Sequence, residues 1–307
     1  MKRIWSLAAL TLVAAFAAGA AFALPKFEDH YASNGTVKIH YVAAGSSSAP
    51  LVVMIHGFPD FSATWRPLMG ELRGEYRVVA LDLRGYNLSD KPQGVDAYRF
   101  PLLIGDVEAV IRAEGRANAV VIGHDWGAAI AWQVAMNRPD LVNRLVILSV
   151  PHPAGFAREM ATNKDQQANS QYARNFQIPG FEKTLNAEML AGVAGVTDPA
   201  LKAEYVEAFK RSDFTAMLNY YRANYPTTTG PAVAAEIPPT TPPIRSPVLV
   251  IHGMKDTALN AAGHSGTWDH VEADTTLLMI PTAGHWVQHD AEKLVDRTVH
   301  DWLDARR

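Results

Sequence analysis

The segment AVVIGHDWGAAI, residues 119–130, decides the fold of this 307-residue chain. Its first four residues are apolar and predict a buried strand, and residues 126–136 predict a helix. Gly123 and Gly127 flank the sharp turn between them. Strand, turn and helix in this order are the context of the G-x-S-x-G motif, in which a nucleophilic serine occupies the apex of the turn. Here Asp125 stands where that motif has serine.

The carboxylate at position 125 narrows the chemistry that the turn can perform. An aspartate is ionised at neutral pH because its ordinary pKa is about 3.9, so it needs no base to activate it. Attack on a carboxylic ester would give a reactive anhydride, whereas attack on a saturated carbon gives an alkyl ester that water can later cleave. Strained or activated alkyl electrophiles, namely epoxides or alkyl halides, are therefore the expected substrates.

Apolar runs and helical stretches alternate on both sides of this segment, which predicts a doubly wound α/β sheet. The chain is 48% hydrophobic and 19% charged, as in an ordinary globular protein. The predicted strands are residues 37–42, 51–55, 77–81, 119–122, 145–148, 248–251 and 277–280. The predicted helices of this part are residues 67–73, 101–114, 126–136 and 291–305.

Residues 152–243 interrupt the alternation. The interval is rich in aromatic residues, contains predicted helices at residues 198–208 and 213–222, and ends in the proline-rich tract IPPTTPP at residues 237–243. Proline excludes regular helix and central strand from that tract. We interpret residues 24–151 and 244–307 as the α/β core and residues 152–243 as an inserted helical cap with a stiff return linker. Ligands of open α/β sheets bind beyond the carboxyl ends of the strands, and the cap would roof that site.

Residues 1–23 have the features of a secretory signal peptide. Lys2 and Arg3 precede an apolar stretch, and Ala21-Phe22-Ala23 supplies an A-x-A cleavage site. The alternative is an uncleaved membrane anchor, which the abundant Ala and Gly make only weakly hydrophobic. We expect an exported protein, periplasmic or secreted, that has no membrane attachment after cleavage.

The chain has no Cys, so neither a disulfide nor an N-terminal cysteine lipid anchor can form. Its net charge of −3 gives no reason to expect nucleic acid as a partner.

Six motifs in the same order resemble those of α/β-hydrolases of the epoxide hydrolase branch, over residues 35–303. They are HGFP (56–59), DLRGY (82–86), GHDWG (123–127), YARNFQIPG (172–180), NYYR (219–222) and GHW (284–286). The resemblance implies an α/β-hydrolase fold, a mostly parallel doubly wound sheet with an inserted helical cap. It also implies a small apolar epoxide and water as reactants, with no cofactor and no metal.

The resemblance further implies that Asp125 is the nucleophile, although an aspartate here could also be a polar turn residue that caps the helix. His285 follows the last predicted strand, which matches the order nucleophile, acid, histidine along such chains, and is the candidate base that activates water. Asp256 follows the strand at 248–251 and would orient that imidazole. Some relatives carry this acid after the sixth strand, but residues 149–152 here offer no carboxylate.

The backbone N–H groups of Phe58 and Trp126 are expected to form an oxyanion hole, and the side chains of Phe58, Trp126 and Phe176 to contact the substrate. Tyr172 and Tyr221 resemble the paired cap tyrosines of epoxide hydrolases. Neutral phenols are suitable acids for an opening epoxide oxygen, which becomes a basic alkoxide. Because NYYR holds two adjacent tyrosines, position 220 is the alternative to position 221.

Three functions stay open at this stage. The first is epoxide hydrolysis to a vicinal diol through an ester on Asp125. The second is haloalkane or haloacid dehalogenation, against which stand Phe58, where one dehalogenase group has a halide-binding Asn, and Trp126, where the fluoroacetate type has Arg. The third is a non-catalytic protein of the same fold that binds ligands in the cap pocket.

Overall fold

The computed structural model describes residues 27–236 and 241–307. It contains eight strands: β1 Glu28–Asn34, β2 Val37–Ala44, β3 Leu51–Ile55, β4 Arg77–Leu81, β5 Ala119–His124, β6 Val142–Leu148, β7 Val248–Gly253 and β8 Thr275–Ile280. They form one sheet in the order β1-β2-β4-β3-β5-β6-β7-β8. β2 pairs antiparallel with β1 and β4, and all other neighbours are parallel. The predicted mostly parallel sheet is therefore confirmed.

The helices of the described residues are numbered in chain order. They are α1 Arg66–Leu72, α2 Phe100–Ala113, α3 Trp126–Asn137, α4 Pro153–Thr162, α5 Lys164–Asn169, α6 Gln171–Phe176, α7 Ala187–Val193, α8 Pro199–Arg211, α9 Phe214–Asn224, α10 Val287–Asp290 and α11 Glu292–Asp304.

The central strands are apolar at consecutive positions because both faces of the sheet are covered. In β3, Val53 and Ile55 join one core cluster, which includes residues of α2 and α3. Val52 and Met54 join a second cluster on the opposite face, which includes residues of α1 and α11. Successive side chains of a strand point to opposite faces, so an uninterrupted apolar run supplies both clusters. Each fully buried aliphatic side chain contributes about 1.5–3 kcal/mol.

Helices α4 to α9 all lie between β6 and β7 in the sequence. Asn or Asp side chains cap the first turn of four of them by accepting backbone N–H bonds: Asn163 at α5, Asn186 at α7, Asp198 at α8 and Asp213 at α9. Such N-caps typically contribute about 1 kcal/mol each. The predicted helices at 198–208 and 213–222 correspond to α8 and α9.

Helix α9 is joined to the core by buried hydrogen bonds. The Tyr220 hydroxyl donates to the Arg84 carbonyl at 2.9 Å, and the Asn224 amide donates to the Tyr98 carbonyl at 2.8 Å. The Arg84 guanidinium in turn makes a bidentate ion pair with Asp106, with both N–O distances 2.6 Å. Both of these charged side chains are buried, and breaking such a pair typically costs about 3–5 kcal/mol.

Two sequence predictions lie partly or wholly outside the described residues. The leader at 1–23 and most of the tract at 237–243 cannot be compared with the structure. Strand β1 was not predicted because its sequence, EDHYASN, is polar and mostly exposed at the edge of the sheet. Within residues 27–236 and 241–307, no helix is both long and apolar enough to cross a membrane.

Candidate active site

Asp125 occupies the apex of the turn between β5 and α3. Its backbone has φ 50° and ψ −123°, an uncommon conformation for a residue with a side chain. The flanking glycines permit this close turn. A Cβ atom on Gly127 would lie 2.0 Å from the Ile55 carbonyl oxygen, and one on Gly123 would lie 2.3 Å from the Gly127 carbonyl oxygen. The turn therefore has the geometry of a nucleophile elbow.

The two oxygens of the Asp125 carboxylate have different neighbours. The Phe58 N–H donates to Oδ1 at 2.7 Å, and Oδ2 lies 3.4 Å from His285 Nε2. Burial acts to raise the pKa of Asp125, but His285 and the Phe58 N–H outweigh it and lower the pKa below its usual value. Asp125 is therefore ionised at neutral pH, with one oxygen already bound by a backbone donor.

His285 lies between two carboxylates. Its Nδ1 is 2.8 Å from Asp256 Oδ2, while its Nε2 faces Asp125. Burial acts to lower the pKa of His285, but the charges of Asp256 and Asp125 and their hydrogen bonds raise it to about 10. The histidine is therefore an imidazolium at neutral pH as long as both carboxylates are ionised.

The loop after β7 holds Asp256. Its Oδ1 accepts the N–H groups of Ala258 at 2.7 Å and Leu259 at 2.9 Å, which leaves Oδ2 for His285. Burial acts to raise the pKa of Asp256, and His285 and these N–H groups lower it to a value below its ordinary one. The structure thus brings the three predicted residues of the hydrolytic machinery into one chain of contacts.

Two residues that the sequence analysis missed fix the backbone of His285. The His285 carbonyl accepts from His124 Nε2 at 2.9 Å and from the Ser149 hydroxyl at 2.7 Å. Burial and the charge of His285 lower the pKa of His124 to about 3, so His124 is a neutral donor. The position of His124 beside Asp125 in GHDWG could have indicated its role from the sequence. Ser149 follows β6 without any motif, so the sequence did not indicate it.

His56 fixes the turn that carries the Phe58 N–H. Its Nε2 accepts from the Leu83 N–H at 3.0 Å, so its Nδ1 carries the proton and donates to the Gly57 carbonyl at 2.8 Å. A Cβ atom on Gly57 would lie 2.3 Å from the Asp125 Cβ, so only glycine fits there. Trp126, the other residue predicted for the oxyanion hole, is the first residue of α3.

A cavity of about 460 Å³ opens in front of Asp125. Its wall includes Trp126, Tyr172, Tyr221, Tyr225 and Leu259, and it is mostly apolar. The Tyr225 hydroxyl donates to the Ser170 hydroxyl at 2.9 Å, whereas the Tyr221 hydroxyl has the Trp126 side chain as its hydrogen-bonding neighbour. Burial and the nearby negative charges raise the pKa values of Tyr172 and Tyr221 well above 10. Both phenols are therefore protonated over the neutral range.

The two adjacent tyrosines of NYYR have different environments. Tyr220 packs against Tyr86 and Tyr98 and donates to the Arg84 carbonyl. Tyr221 instead lines the cavity, and its ring centroid lies 6.2 Å from that of Tyr172. Tyr221 is therefore the member of the pair that can reach a ligand.

The predicted substrate contacts of Phe58 and Phe176 stay predictions. Neither side chain belongs to the cavity wall formed by the described residues. Their rings pack edge to face against each other at 5.2 Å and against Tyr221 at 5.6 and 5.0 Å. They form an aromatic layer behind the tyrosine, because two large rings gain more from packing there than from solvent exposure. Trp126 does line the cavity as predicted.

No group of three or more histidine, aspartate or glutamate side chains is placed to hold a metal ion in the part of the chain that the structure describes. A nucleophile elbow on a doubly wound sheet, with a histidine and a second acid aligned behind it, defines an α/β-hydrolase.

Comparison with known proteins agrees with this class. A family model described as alpha/beta hydrolase fold matches residues 50–292. Epoxide hydrolase 3 of Xenopus tropicalis is 31% identical over 87% of this chain and 75% of its own length. The AB hydrolase superfamily protein YfhM of Bacillus subtilis is 34% identical over 88% of this chain and 96% of its own. The crystal structure of an epoxide hydrolase from Bacillus megaterium in complex with an inhibitor is similar with a TM-score of 0.81 and 31% identity, over 90% of this chain and all of that one. The chain therefore belongs to the epoxide hydrolase branch of the α/β-hydrolase fold family.

Proposed function

We propose that this protein hydrolyses epoxides to vicinal diols through a covalent ester on Asp125. The observation that supports this most is that an ionised carboxylate and two protonated tyrosine hydroxyls face one mostly apolar cavity. A nucleophile and two acids are the groups that ring opening requires. The names of the relatives described above support the same substrate class.

In the first step, Asp125 Oδ2 attacks a ring carbon of the epoxide. The ring C–O bond breaks as Tyr172 and Tyr221 donate hydrogen bonds to the oxygen, and one of them transfers its proton to the developing alkoxide. Oδ1 is bound by the Phe58 N–H, which leaves Oδ2 as the attacking atom. General acid assistance of this kind typically contributes 10²- to 10⁴-fold to the rate.

In the second step, His285 removes a proton from water as the water attacks Cγ of the Asp125 ester. Charge develops on Oδ1, and the N–H groups of Phe58 and Trp126 stabilise it. The intermediate then collapses, and the imidazolium returns the proton to the departing diol oxygen. The regenerated acid at Asp125 gives its proton to the tyrosinate left by the first step, which closes the cycle. All these groups are side chains, backbone amides or water.

Ester formation itself prepares His285 for the second step. It removes the negative charge 3.4 Å from Nε2 and leaves Asp256 as the remaining carboxylate partner. Burial, which acts to lower the pKa of His285, is then opposed by one charge only. The imidazolium therefore releases its proton to solvent more readily, and the neutral imidazole can act as the base; it takes a proton back from solvent once Asp125 is ionised again.

A single turnover in ¹⁸O-labelled water tests the covalent step. Under the proposal the label enters the Asp125 carboxylate, and the diol formed in that turnover carries none. Peptide mass spectrometry of the enzyme and mass analysis of the diol measure both. Label that goes directly into the diol and never into Asp125 would overturn the proposed mechanism.

Two other functions are distinguished by a paired assay with a chromogenic epoxide and a haloalkane. Diol formation without halide release supports the proposal, and halide release alone would indicate a dehalogenase. Turnover of neither would indicate a ligand-binding protein of this fold. The tyrosine pair weighs against dehalogenation, because halide is already a good leaving group.

We also propose that the protein is exported and cleaved after Ala23, from the leader-like sequence of residues 1–23. Mass spectrometry of the protein from an exporting host should then find Leu24 at the mature N-terminus. A retained leader would contradict cleavage.

A further inference from the structure

Gln166 is a buried amide in α5 that crosses from the inserted helices to the loop carrying Asp256. We propose that Gln166 is a positioning residue for ester hydrolysis, which holds the Asp256 loop in the geometry that His285 needs. This inference rests on the proposed function and assigns a role in only its second step.

The Gln166 side chain forms hydrogen bonds with two backbone groups and one side chain. Its Oε1 accepts the Asn260 N–H at 2.6 Å, and its Nε2 donates to the Ala258 carbonyl at 2.9 Å and to the Ser170 hydroxyl at 2.9 Å. The side chain has no exposed surface. One donor and one acceptor on the same side chain are required to bind both backbone partners, and an amide offers both without titrating.

The same loop residues bind Asp256 on their other side. The Ala258 N–H donates to Asp256 Oδ1, while the Ala258 carbonyl accepts from Gln166. Residues 258–260 are thus held between the carboxylate and the amide. Without Gln166, the carbonyl of Ala258 and the N–H of Asn260, both half-buried residues, lose their partner, and we expect the loop to shift towards other partners. Asp256 moves with the loop, and its contact with His285 lengthens.

The two half-reactions respond differently to such a movement. Ring opening uses Asp125, Tyr172 and Tyr221, and none of these three side chains forms a hydrogen bond with Gln166. Ester hydrolysis uses His285 and Asp256. Loss of Gln166 therefore slows only the second step, so the ester accumulates, and kcat and KM fall by the same factor while kcat/KM is unchanged. A general structural defect would lower kcat/KM as well.

The test is Gln166→Met in the full chain, which keeps the volume of the side chain and removes its hydrogen bonds. Gln167→Met is the matched control, because Gln167 follows in α5 and donates to the Met160 carbonyl, away from the Asp256 loop. Quenched single-turnover reactions with a chromogenic epoxide, read by intact-protein mass, give the rates of ester formation and decay. We expect decay in Gln166→Met to be slower by between about tenfold and about a hundredfold, since a 1 Å misplacement can cost 10²-fold.

Ester formation in Gln166→Met should keep the wild-type rate, which also shows that the variant is folded, and Gln167→Met should match wild type in both steps. Equal slowing of formation and decay, or decay at the wild-type rate, would overturn the role of Gln166. If wild type itself forms no ester, the proposed function fails first, and the two failures are thereby distinguished.

Gln166→Glu supplies a second test should the Met variant not fold. Its protonated carboxyl group can again donate to the Ala258 carbonyl, whereas its ionised form repels that oxygen. The ratio of variant to wild-type ester decay should therefore rise as the pH falls. A ratio that does not change with pH would count against the hydrogen bonds as the cause.

Discussion

The substitution Asp125→Asn should lower the pKa of His285 by about 2 to 3 pH units. Burial opposes the charged imidazole, yet Asp256 at 2.8 Å and Asp125 at 3.4 Å raise the pKa of His285 to about 10. Unit charges about 4 Å apart interact by about 4 kcal/mol at an effective dielectric constant of about 20. About 1.4 kcal/mol corresponds to one pKa unit, so removal of one carboxylate charge should lower the pKa of His285 by about 3. The dipole of the amide that replaces the carboxylate offsets a part of this fall.

The measurement is an NMR titration of protein with ¹³C-labelled histidine. The chain has 11 histidines, so the His285 signal is assigned by its loss in His285→Gln. In wild type the ring should stay protonated through neutral pH, and in Asp125→Asn it should titrate near or somewhat above neutral pH. Asp60→Asn is the control, because Asp60 is buried but its carboxylate accepts from the Tyr205 hydroxyl rather than from His285.

An unchanged pKa of His285 in Asp125→Asn would refute the reasoning. The variant reproduces the loss of charge that accompanies ester formation, so an unchanged pKa would mean that the ester does not release the base. A fall of the same size in Asp60→Asn would point to a general change in the site instead.

Three further predictions concern catalysis. His285→Gln should form the ester on Asp125 but cleave it slowly, so that intact-protein mass increases by the mass of the epoxide; an unmodified protein that still consumes epoxide would contradict the two-step scheme. Tyr172→Phe combined with Tyr221→Phe should slow epoxide opening by about 10²- to 10⁴-fold and slow any halide release from a haloalkane much less, and equal losses in the two assays would contradict the acid role. The pH profile of kcat/KM should be flat from about pH 5 to about pH 9, since ring opening needs ionised Asp125, whose pKa is lowered, and protonated tyrosines, whose pKa values are raised. The value of kcat/KM should fall only below and above that range. A fall of kcat/KM near the ordinary pKa of histidine would show that a histidine controls the first step and would contradict the role given to Asp125.

The parts of the fold with strong apolar patterns were predictable from the sequence. The continuous apolar runs that became β3, β4 and β5 and the helix after Asp125 were predicted within two residues of their bounds. Strand β1 lacks such a run, and helices α5 to α7 have only 6 or 7 residues each, too short to show a clear period. Their structures depend on caps and on packing against the rest of the chain.

In the site, sequence motifs indicated the residues whose side chains contact one another. They did not indicate a residue such as Gln166, which acts on the backbone of a distant loop. His285, Asp256 and Asp125 were candidates because each has a typical place relative to a strand. Gln166 was not a candidate, because its partners include backbone atoms of residues 92 and 94 positions away. The roles of Phe58 and Phe176 show a similar limit of sequence reasoning. An aromatic residue in a motif can face the ligand or support the residue that does, and sequence does not distinguish the two.

The ion pair of Arg84 with Asp106 can influence the position of the cavity residue Tyr221. Tyr220 is bonded to the Arg84 carbonyl, and Tyr221 is the next residue of the same helix, so a shift of the arginine tilts the phenol that faces the cavity. Under the proposed function, substitutions at Asp106, which has no part in the cavity wall, should alter which ring carbon is attacked. The same substitutions leave the buried Arg84 charge without its partner, so they should also lower the stability of the fold by about 3–5 kcal/mol.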